Sequence, residues 1–191
     1  SARERILREG EPPEGTRQPR AEADAVSAQV GSVSAVLIHA LDEAFGNAAW
    51  HGPSLRSALR GVSAREASRR LSPSRHTIRE IVLHAAYWKN RVRQRLTGNA
   101  RTPFPLPGSN WFRRTGASEK EWREERRLLE REHDALRRAV AGFPEARLRK
   151  PLPGSRRRTA LREIAGVALH DVYHTGQIQL LKTLYRKGRS R

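Results

Sequence analysis

Apolar residues recur every three to four positions in four separate stretches, and nowhere does apolar and polar alternation persist beyond a few residues. That spacing is the one an α-helix imposes on a half-buried surface, whereas a half-buried strand would alternate. The first stretch runs from about Asp24 through Val30, Val33, Leu37, Ala40, Leu41, Ala44 and Phe45, with Gly46-Asn47 as its stop. The second, "SRHTIREIVLHAAYWKNRVRQRLTG", aligns Ile78, Ile81, Val82, Ala85, Trp88, Val92 and Leu96 on one stripe and ends at Gly98. The third starts near Ser118, carries Trp122, Leu129, His133, Leu136 and Val140, and ends at Gly142-Phe143-Pro144. The fourth extends from about Thr159 to Lys187, with Gly188 closing it. An amphipathic helix is not stable alone and must bury its stripe on others. Four of them with long connectors predict an all-α fold, a four-helix bundle with crossover connections.

The connectors have their own grammar. "WHGPSLRSALRG" breaks at Gly52-Pro53 and restarts at Ser54, which predicts a short helix, and Ser63-x-x-Glu66 has the spacing of a capping box for a second one. Residues 99 to 117 hold Pro103, Pro105 and Pro107 among Phe104, Leu106, Trp111 and Phe112, and read as an ordered loop that lays its aromatics over one end of the domain. Residues 1 to 22 contain glycines and prolines but no apolar period, and are expected to form a flexible basic extension ahead of one domain over 23–191.

Composition limits the chemistry. The chain has no cysteine, so a disulfide framework and a thiolate metal site are both excluded, and any metal must sit on His, Asp or Glu. No run approaches the ~18 apolar residues of a membrane span, and no apolar signal-peptide core stands at the N-terminus, so cytoplasmic location is the default expectation. The net charge of +18 makes nucleic acid a candidate partner. Its basic residues are nevertheless spread along the chain, and aromatics amount to only 6%, few for stacking single strands.

The histidines carry the sharpest signal. In "LHDVYHTGQIQLLK", His170 and His174 are one turn apart, so on a helix their rings lie ~6 Å apart along the axis and about 40° apart around it. Such a pair also arises with one histidine packed and the other exposed. His84 adds weight, because it falls within the apolar stripe of the second long helix, one turn from Ile81 and Trp88. Three histidines facing one bundle interior form a neutral set that leaves open the fourth position of a catalytic zinc site.

The two motifs "HTIREIVLHAAYWK" and, some 80 residues later, "LHDVYHTGQIQLLK", together with "AWHGPSL", resemble the DinB/YfiT-like family, across roughly residues 30 to 187. The resemblance implies a four-helix bundle in which three histidines, here His84, His170 and His174, bind a divalent metal, Zn or Ni. It also implies hydrolysis or transfer involving a low-molecular-weight thiol, on a small-molecule substrate.

Other readings share these residues. "HDVYH" has the spacing of a zinc-protease motif with Asp171 in place of the glutamate base, although aspartate is a methylene shorter and no sheet is expected to frame a peptide. A structural metal in a basic, non-enzymatic nucleic-acid-associated protein is a second reading, and a homodimer sharing the pocket is a third possibility for assembly. His51, at the Gly52-Pro53 break, is a candidate acid/base or fourth ligand, or a surface loop residue. His133 reads as packing, His76 as a helix-start residue and His39 as peripheral. Glu80, Glu163 and Gln177 are each placed to hold a ligand's second nitrogen, and Tyr87, Trp88 and Tyr173 read first as core.

Overall fold

The structure, a computed structural model, describes residues 31–46, 49–99 and 103–187. The expected extension over 1–22, the start of the first helix and the closing Gly188 lie outside them. Among the described residues the regular structure is helical, with a single isolated β-bridge between Pro151 and Thr159. The helices are α1 (Val33–Phe45), α2 (Leu55–Ala58), α3 (Ala64–Ala67), α4 (Ile78–Thr97), α5 (Glu119–Ala141) and α6 (Ala160–Lys187), with a 3-10 turn at Glu145–Arg147.

Side-chain caps set where most of these helices begin. Ser54, Ser63 and Ser118 each accept a hydrogen bond from the backbone N–H three residues on, ahead of α2, α3 and α5. At α4 the exchange is reciprocal: Thr77 Oγ1 accepts from the Glu80 N–H at 3.1 Å, and Glu80 Oε2 accepts from the Thr77 N–H at 3.1 Å. The same helix ends on Gly98, whose φ of 67° is the left-handed conformation that a residue without Cβ adopts freely.

Helix α4 packs on α5 and α6, and α1 packs on the same two, so α1 and α4 stand at opposite corners of the bundle. The apolar interior divides into two clusters. One gathers Ile78, Ile81, Val82, Trp122, Leu129, Ile178 and Tyr185 with the loop aromatics Phe104 and Phe112. The other gathers Leu37, Leu41, Val92, Leu136, Val140, Ile164 and Val167. Between them, along each long helix, lies a buried polar layer: Lys89 and Asn90 on α4, Glu132 and His133 on α5, Asp171, His174 and Thr175 on α6.

Sequence periodicity does not reveal this layer. Trp88, expected on the buried stripe, is only half-buried, while Lys89 beside it is wholly enclosed. Lys89 Nζ donates to Asp171 Oδ2, sits 3.5 Å from His133 Nδ1, and lies 5.2 Å from the Phe45 ring centre, which itself stacks on His133 at 3.9 Å. A charge is tolerated at zero exposure only when paired, and the Lys89–Asp171 contact supplies the pairing. Burial raises the Asp171 carboxyl above its ordinary range, while the neighbouring Lys89 ammonium pulls the other way. Further ion pairs clamp the helices. Arg79, 1% exposed, donates to Glu125 and Glu121 of α5, Arg95 joins Glu163 of α6, and Arg137 forks onto Asp42 of α1. Among the described residues, no helix is long and apolar enough to cross a membrane.

Candidate metal centre

Adjacent helices α4 and α6 bring three imidazoles together at the level of the polar layer. His84 Nε2 lies 2.9 Å from His170 Nε2, and His174 Nε2 lies 3.0 Å from the same atom. The ligand atoms of the three all fall within 4.8 Å of one another. His84 and His174 are buried at 6% and 3% exposure, whereas His170 stands at the edge.

The opposite ring nitrogens fix the tautomers. His84 Nδ1 donates to the Asn110 carbonyl at 2.8 Å, and His174 Nδ1 donates to Gln177 Oε1 at 2.7 Å. With Nδ1 carrying the proton, each Nε2 presents its lone pair to the centre. Gln177 is itself oriented, because its Nε2 donates to the Tyr173 hydroxyl at 3.0 Å. His170 Nδ1 is buried without a partner. Burial pushes the imidazoles away from the charged form, to about 4 for His84 and about 3 for His170, and lowers His174 as well. The trio is therefore neutral at pH 7.

Two of the three Nε2 atoms, those of His84 and His174, present lone pairs toward His170 Nε2, an arrangement that one shared cation would satisfy. The two Nε2 separations from His170, 2.9 and 3.0 Å, are close to the ~3.3 Å expected between tetrahedral ligands ~2.0–2.1 Å from one ion. The donor set thus fits a divalent metal. Among the described residues no Asp or Glu joins the group, so three protein ligands leave one coordination position.

Aromatic packing encloses one side. Trp111 stacks on His84 at 3.8 Å with a 4° tilt, and its other neighbour, His76, is stacked at 3.5 Å and 3°. Asn110, with φ of 65°, turns the chain so that its carbonyl reaches His84 while its side-chain oxygen accepts from Trp88 Nε1 at 2.9 Å. A cleft of about 200 Å3 adjoins the group at His170, lined also by Trp88, Val92, Gly166 and Val167 with Arg95, Arg162 and Glu163.

Each residue nominated from sequence now has a place. His84, His170 and His174 come together; His51 is exposed on the loop after α1, outside the group. His133 lies in the polar layer against Phe45 and Lys89, and His39 pairs with Glu43 at the surface. Asp171 gives its carboxylate to Lys89 rather than to the histidines, so it is not arranged as a protease base. Of the three carboxylate or amide candidates, Gln177 holds a ligand, while Glu80 caps α4 and binds Arg70, and Glu163 binds Arg95. Sequence reasoning missed Asn110 and the stacking role of His76. Gly108-Ser109-Asn110 is a turn signal in which Asn tolerates positive φ, but the histidine its carbonyl meets is decided by tertiary packing.

A family profile described as the DinB superfamily matches residues 47–178, more than two thirds of the chain and a span that includes all three histidines. No curated protein and no solved structure matches the chain.

Proposed function

The chain belongs to the DinB superfamily, and from that membership and the geometry of the trio we propose that it is a metal-dependent enzyme, a hydrolase or a thiol-dependent transferase acting on a small molecule. His84, His170 and His174 hold the ion, with Zn or Ni as the candidates. A divalent ion bound there supplies Lewis acidity, lowering the pKa of water or a thiol or polarising a carbonyl.

The observation that carries this reading is the neutrality of the donor set. Three imidazoles bring no negative charge, and the buried carboxylate beside His170 in the chain, Asp171, pairs with Lys89. The ion's charge is thus left for the substrate, and a structural zinc site would more often close with four protein ligands. The chain's own groups do the rest. The Asn110 carbonyl and Gln177 lock two rings by their Nδ1 protons, Trp111 covers the face of His84, and the cleft beside His170 admits the substrate.

Metal analysis of the purified protein tests the assignment. We expect close to one transition-metal ion per chain and loss of most of it in His174→Ala, with the helical circular dichroism unchanged. Protein grown in metal-replete medium that carries no transition metal would overturn the site. Turnover of ester, amide and thiol-transfer substrates, abolished by chelation, then separates enzyme from fastener.

A further inference from the structure

On α6, Arg162, Gly166 and His170 follow one another at i, i+4 and i+8, the spacing that stacks residues on one helix face. The helix advances ~12 Å over those eight residues. All three line the 200 Å3 cleft, which places a cation at one end, a residue without side chain in the middle and a member of the histidine trio at the other end. A Cβ built on Gly166 meets nothing within 4 Å, so this glycine leaves open the space over the helix rather than relieving a close contact. The facing wall is Trp88 and Val92 of α4.

The charges around the cleft do not cancel. Arg95 is held by Glu163 and lies 5.7 Å from the Trp88 ring centre, so its charge is matched and its position fixed. Lys89 and Asp171 match each other. The histidines are neutral, and among the described residues no carboxylate pairs with Arg162. One guanidinium, that of Arg162, therefore remains without a carboxylate partner at the end of the slot away from His170. A guanidinium fork matches a carboxylate with two parallel hydrogen bonds, whereas a doubly charged phosphate would call for more than one free cation.

We propose that the cleft running from Arg162 over Gly166 to His170 is the substrate site of this centre, and that it takes a small molecule carrying a carboxylate on a short apolar stem. The carboxylate pairs with Arg162, the stem lies over Gly166 between Val167 and Trp88, and the reacting end faces the histidines. This inference rests on the metal-enzyme reading for its reacting end, but the recognition of carboxylate and stem belongs to the cleft alone.

The test uses hexanoate and 1-hexanol as probes, titrated calorimetrically into the purified full-length protein with metal content measured on the same sample. Hexanoate is expected to bind at least about tenfold more tightly than the alcohol, the difference a hydrogen-bonded charge pair makes. Arg162→Gln should remove that preference, and Gly166→Leu should abolish binding of both probes, with metal content and helical signal unchanged in each variant. Equal affinity for the two probes overturns the proposal, as does hexanoate binding that ignores both substitutions. Hexanoate binding that vanishes on chelation but survives Arg162→Gln also overturns it, because the carboxylate then sits on the metal. A protein without metal that still shows the Arg162 and Gly166 dependence would sink the enzyme reading and leave the cleft assignment standing.

Discussion

Gln177 holds the Nδ1 proton of His174 and is held in turn by Tyr173, so one amide sets both the tautomer and the orientation of a ligand. Outer partners of this kind are worth roughly 10–100-fold in metal affinity. Gln177→Leu should weaken zinc binding by about that factor in a chelator-competition titration while leaving the fold intact, and Gln177→Glu, which keeps an acceptor, should recover much of the loss. Unchanged affinity in Gln177→Leu would show that the hydrogen bond does not bear on the metal. From sequence, Gln177 could be placed near His174 by its i+3 spacing but not chosen over Glu80 or Glu163. What removed the competitors was tertiary: Glu80 is drawn to Arg70 and its own helix start, Glu163 to Arg95.

At the level of elements, the sequence announces its helices because their ends carry local chemistry. Gly98 and Ser118 mark a stop and a start that depend only on neighbouring residues. The interior of α4 is another matter, since nothing local says that Lys89 is enclosed while Trp88 lies half in solvent. That inversion is bought by Asp171 on α6, 82 residues away. Removing one partner strands the other in an apolar setting, so Lys89→Met should cost about 3–5 kcal/mol in urea unfolding. The double variant Lys89→Met/Asp171→Leu should regain most of that loss, because a packed apolar pair replaces a matched charge pair at little net cost. A double variant no more stable than Lys89→Met alone would show that the pairing is not what holds α4 to α6.

For the whole molecule, the polar layer makes stability depend on acidity. His84, His133 and His170 titrate in the folded protein at about 4, about 3 and about 3, each displaced downward first by burial. In the unfolded chain they titrate near 6.5. Between those limits the unfolded state binds protons that the folded state refuses, so stability falls as pH drops below about 6.5 and continues to fall toward about 4. The metal-free protein should accordingly show a urea midpoint that decreases steadily from pH 7 to pH 5. His133→Gln, which leaves the trio untouched, should make that decline shallower by one proton; an identical slope would show that His133 does not resist protonation in the fold. Arg70, Arg79, Arg95, Arg114 and Arg137 each face a carboxylate within the fold, so the net charge of +18 is carried by the other basic residues.

The same layer settles a question that two apolar clusters alone would leave open. Leucine, isoleucine and valine pack nearly as well one turn up or down a neighbouring helix. Sliding α6 by a turn against α4 would take Asp171 from Lys89 into hydrocarbon and carry one of His170 and His174 away from His84, breaking the trio. Only one axial alignment satisfies both conditions, so the charges that weaken the core also fix the register in which the bundle closes.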